Sequence, residues 1–88
     1  MEIYCKEYQD KGWVEVDTDT KKRLVLVELY CDTEPSSLTI DPEDVTALPP
    51  VCDFDDMQFA PGSSLVAVED GKLYLCNTSG EFVEFGGN

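Results

Sequence analysis

The apolar and polar residues alternate with a period of two along much of the chain, the pattern of strands rather than helices. Ile3 to Gln9 is rich in strand-forming residues, and Val14 and Val16 alternate with Glu15 and Asp17. Asp10-Lys11-Gly12 lies between these runs and reads as the turn of a hairpin. After the polar stretch Thr18 to Lys22, the run from Arg23 to Tyr30 gathers six apolar residues around a single glutamate, Glu28. It is too apolar for a solvated edge and is expected as the central strand. Ser64 to Glu69 and Lys72 to Cys76 flank Asp70-Gly71, a strong short-range hairpin signal. Asn77-Thr78-Ser79-Gly80 then turns the chain into Glu81 to Phe85, which predicts a carboxy-terminal meander of three strands. Gly86-Gly87-Asn88 reads as a frayed end.

The stretch from Cys31 to Gly62 has a different texture, because all five prolines fall within it and regular ladders are disfavoured there. Asp41 is placed to start one short helical turn, with Pro42 at its first position and Glu43 and Asp44 suited to its positive end. Pro49 and Pro50 stop any helix. The expected fold is mainly β: a small antiparallel or mixed sheet, a long acidic proline-containing loop and at most one short helix. With 88 residues the chain has room for one domain, spanning 1–88.

Charge sharpens this picture. The chain carries nineteen acids, six bases and no histidine, for a net −13. Residues 1–23 are nearly neutral, whereas residues 24–71 hold eleven acids and no base. Such a field repels nucleic acid and anionic membrane and steers basic partners inward. It also keeps a β-rich protein soluble and discourages edge-to-edge pairing. The longest apolar run falls well short of the ~20 residues needed to span a bilayer as a helix, and Met1 to Glu7 shows no secretion signal. The expected location is therefore the cell interior. Cys5, Cys31, Cys52 and Cys76 are widely spaced without a CxxC pair, which argues for free thiols rather than a zinc ribbon.

Candidate chemistry is sparse. Without histidine the commonest general base, metal ligand and nucleophile activator are absent. Ser63 and Ser64 do not form a nucleophile elbow, and the glycines stand singly in turns rather than in a phosphate loop. No catalytic residue, metal or cofactor is expected, so the chain reads as a binding protein and not an enzyme. Asp53-Phe54-Asp55-Asp56 has the alternating acids of a calcium loop, but counting from Asp53 the glycine and glutamate positions of an EF-hand hold Gln58 and Ser64. These acids are read as solvated. Asn77-Thr78-Ser79 fits a glycosylation triplet and is read simply as a turn. The aromatics on the strands, Tyr4, Tyr8, Trp13, Tyr30, Tyr74, Phe82 and Phe85, are expected to be mostly core. Phe54 and Phe59 lie in the acidic loop, where an apolar residue either pins the loop to the sheet or anchors a partner. The candidate partner-binding residues are Asp53, Phe54, Asp55, Asp56 and Phe59.

Phe59-Ala60-Pro61-Gly62-Ser63, Leu65 to Val68, Lys72-Leu73-Tyr74 and Ser79-Gly80-Glu81-Phe82 together resemble small acidic proteins encoded among the head and tail structural genes of tailed phages and prophages of Gram-positive bacteria. The resemblance covers roughly residues 48–85. It implies a structural or assembly accessory protein that contacts other virion proteins, found in the bacterial host cytoplasm or the virion, and it supplies no catalytic residue. Sheet edges could also add strands between copies, giving a homo-oligomer. A second function fits the same charge: a nucleic-acid mimic that places carboxylates where phosphates would lie and so inhibits a host defence or DNA-processing enzyme.

Overall fold

Seven strands form one mixed sheet in the computed structural model, which describes residues 3–49 and 51–85. The expected frayed end at 86–88 lies outside these described residues, as does Pro50. β1 (Ile3–Glu15) and β2 (Lys21–Cys31) pair as a long antiparallel hairpin, in register from Tyr4 opposite Tyr30 to Glu15 opposite Lys21. The turn lies at Val16–Thr20, where the Val16 amide donates to the Thr20 carbonyl at 3.0 Å.

The expected turn at Asp10-Lys11-Gly12 is instead a β-bulge within β1. Asp10 Oδ1 accepts the Gly12 amide at 2.9 Å, and Gly12 takes a φ of +88°, a region open to glycine. The local turn chemistry is real, but pairing with β2 resumes on its far side, so the chain bends without reversing. A second irregularity leaves Lys6 as an extra residue between Cys5 and Glu7.

β2 is the central strand, as its composition predicts. β1 occupies one edge, and two parallel strands share the other: β4 (Met57–Phe59) beside Arg23–Val25 and β5 (Ser64–Ala67) beside Glu28–Cys31. The interruption between them is bridged by one side chain. Ser63 Oγ accepts the Val27 amide at 3.1 Å and donates to the Ala60 carbonyl at 2.7 Å, so a buried backbone donor stays satisfied where no strand faces it. β5, β6 (Lys72–Cys76) and β7 (Phe82–Glu84) form the expected antiparallel meander. Its first turn occupies Val68–Gly71, and in its second the Asn77 carboxamide oxygen accepts the amides of Ser79 and Glu81 at 2.9 and 3.0 Å.

The proline-containing segment contributes more structure than its composition suggests. The predicted turn at Pro42 is a single 3-10 turn, Pro42–Asp44, and a second follows at Phe54–Asp56. β3 (Val45–Thr46) pairs in parallel with Ile3 and Tyr4. This segment covers one face of the sheet. Ile40, Val45 and Leu48 join Val25, Val27, Leu29, Leu65, Tyr74 and Phe82 in the core. Each large apolar side chain removed from water contributes about 1.5–3 kcal/mol.

Candidate recognition surfaces

The acidic turn at 53–56 presents its carboxylates outward. Asp53, Asp55 and Asp56 are exposed, the Asp56 amide closes the 3-10 turn on the Asp53 carbonyl at 2.9 Å, and the Lys22 ammonium donates to the Asp55 carbonyl. The two aromatics of the candidate site behave differently. Phe59 is buried in the core, its ring edge-on to Phe82 with centroids 5.9 Å apart, so it pins the loop to the sheet and is not at the surface to meet a partner. Phe54 is half-buried and packs against the same core. Of the five residues singled out from the sequence, the three aspartates are freely presented.

The two 3-10 turns lie side by side. Lys22, Asp41, Pro42, Glu43, Phe54 and Asp55 line a shallow groove of about 260 Å³ between them. Among the described residues the ion pairs join Arg23 to Asp10 and Lys72 to Glu34 and Glu84. None of these involves an acid between Asp41 and Asp56, so those carboxylates form no ion pair with a described residue, and Lys22 is the cation that reaches their groove. No three Cys, Asp or Glu side chains among the described residues converge as a metal-binding group.

Nucleophilic chemistry finds little support in this arrangement. All four cysteines are unpaired, and burial, the largest cause in each case, pushes their thiols above the ordinary value, so none is held as a thiolate at neutral pH. Ser63 Oγ is committed to two backbone groups.

The other face of the sheet is a second surface, and sequence reasoning did not single it out. Alternation along β2 turns Val25, Val27, Leu29 and Cys31 into the core and Leu24, Leu26, Glu28 and Tyr30 away from it. In register with Tyr30 stand Tyr4 on β1, Val66 on β5 and Leu73 on β6, and the Phe85 amide donates to the Leu73 carbonyl. The Tyr4 and Tyr30 rings stack at 5.3 Å. Tyr30, Val66, Val83 and Phe85 are 41, 38, 51 and 59% exposed, forming an apolar band that no second layer of described residues covers. The expectation that the strand aromatics are mostly core therefore holds for Tyr74 and Phe82 but fails for Tyr8, Trp13, Tyr30 and Phe85. The signal for this face was the apolar character of both faces of the 24–30 run, which denotes burial on both sides only where a second layer exists.

No family model, curated protein or solved structure matches this chain.

Proposed function

We propose that this protein is a non-enzymatic structural or assembly accessory protein of a tailed phage or prophage that works by binding another protein. The observation that carries the reading is the presentation of Asp41, Glu43, Asp53, Asp55 and Asp56 on two adjacent 3-10 turns, exposed and without ion-pair partners among the described residues. Carboxylates held this way attract a basic patch and speed its encounter. The phage setting comes from the resemblance of residues 48–85 alone. Because Phe59 is in the core and Phe54 half-buried, the contact at this turn is mainly electrostatic.

The test is affinity capture of the tagged protein from phage-producing cells, washed at low and high salt and read by mass spectrometry. Capsid, portal or tail proteins should be retained at low salt, and the triple variant Asp53→Asn, Asp55→Asn, Asp56→Asn should retain about tenfold less, given up to ~1 kcal/mol for each exposed pair. Undiminished capture by the triple variant would remove the acidic turns from the contact. The same unpaired carboxylates also favour the nucleic-acid mimic. In that case the retained protein is a host nuclease or defence enzyme, and excess duplex DNA displaces it.

A further inference from the structure

Glu7 and Glu28 stand directly opposite each other in the β1–β2 ladder. Both are exposed, both belong to the open face of the sheet, and neither forms an ion pair with a described residue. Like charges at opposed positions destabilise a strand pair, so the free protein carries a local conflict here. The conflict borders the apolar band. Glu28 lies between Leu26 and Tyr30 along β2, and in its own cross-strand row stand Ser64, Leu75 and Val83. Glu7, Gln9, Leu26 and Glu28 help to line a shallow cavity of about 290 Å³.

We propose that this open face docks a protein segment whose contact surface is apolar and carries one lysine or arginine, seated between Glu7 and Glu28. The apolar band requires an apolar complement, and the carboxylate pair requires a cation. Removing water from that cation on docking strengthens both of its charge-assisted hydrogen bonds. A second copy of this chain does not satisfy the same site, because facing copies would bring four glutamates together and join two molecules of net charge −13. Strand addition at the long edge of β1 is also disfavoured, since Lys6 and Lys11 interrupt its ladder geometry. The inference rests on protein recognition as proposed above, but it involves none of the acidic-turn residues.

The experiment titrates the isotope-labelled full chain with a synthetic nine-residue peptide alternating valine and threonine, its central valine replaced by lysine. A control peptide carries norleucine at that position. Amide shifts are expected at Glu28, Tyr30, Val66 and Leu73. The double variant Glu7→Gln, Glu28→Gln should bind the lysine peptide about fivefold more weakly and the norleucine peptide unchanged, while its own Tm rises as the repulsion is relieved. Shifts confined to residues 41–56, or equal affinity of the variant for the lysine peptide, would overturn the inference. So would concentration-dependent dimerisation of the free protein that Val66→Lys abolishes, because the occupant would then be a second copy. Peptide binding at this face together with undiminished capture by the acidic-turn variant would retain this inference and remove the acidic turns from the contact.

Discussion

Ser63 and Tyr74 are both fully buried and carry hydroxyls of opposite consequence. Ser63 Oγ makes two hydrogen bonds and satisfies the Val27 amide, whereas the Tyr74 hydroxyl, with the Glu34 carboxylate nearby, makes no hydrogen bond of regular geometry. Burial, with the nearby Glu34 carboxylate adding to it, pushes the Tyr74 phenol up to about 12. Removing a satisfied group strands its partners, while removing an unsatisfied one relieves a desolvation cost. Ser63→Ala should therefore destabilise the fold by about 1–3 kcal/mol, while Tyr74→Phe should be neutral or stabilising by about 1 kcal/mol. Chemical denaturation of the two variants checks the contrast, and a large loss in Tyr74→Phe would mean that the hydroxyl has a partner in solution.

The long outer edge of β1 illustrates how elements are protected. Among the described residues β3 pairs with Ile3 and Tyr4, and no described strand lies beside the rest of that edge of β1. The extra residues in that strand are both lysines, Lys6 and Lys11, and a bulge combined with a positive charge is an effective block to pairing with another edge. Lys6→Val with Lys11→Val should leave the monomer folded but promote assembly above micromolar concentration, measurable by light scattering. A variant that remained monodisperse would show that the bulges alone are sufficient.

What the sequence discloses at this scale follows from how local each signal is. The run in β2, the turns at Asp70-Gly71 and Asn77–Gly80 and the start of a turn at Pro42 rest on residues within a few positions of one another, and all four appear where they are expected. β3 and β4, of two and three residues, exist through parallel pairing with distant strands and have no local signature. Asp10-Lys11-Gly12 has the same residues whether the strand reverses or merely bulges, and only the pairing with β2 decides. At the candidate site, exposure of Asp53, Asp55 and Asp56 was legible from their charge. For Phe59 the sequence left two readings, pinning the loop to the sheet or meeting a partner, and the core contact decides for the first, because a loop residue and a short strand residue look alike until the core is assembled. The open face escaped notice because a period of two assigns residues to faces without saying which face is covered.

For the whole molecule, net charge dominates. With −13 on 88 residues and only three ion pairs among the described residues, the folded state concentrates repulsion that the unfolded chain spreads out. Added salt shortens the screening length from about 10 Å at 0.1 M to about 3 Å at 1 M. The Tm should therefore rise with sodium chloride, by about 4–8 °C for each kcal/mol of repulsion relieved. Thermal melts across that range provide the check, and a flat profile would mean that the acids are too dispersed to oppose folding.

The broken parallel edge of β2 also shapes how the molecule comes together. The β1–β2 hairpin and the β5–β7 meander each close through neighbours in sequence, but their ladders join where β5 lies alongside Glu28–Cys31, separated in the chain by more than thirty residues. Local closure is fast and long-range pairing pays a larger entropy cost first. The seam held by Ser63 is thus expected to be the late joint of assembly, where two quickly formed halves commit to one another and the apolar faces they bring become a single continuous surface.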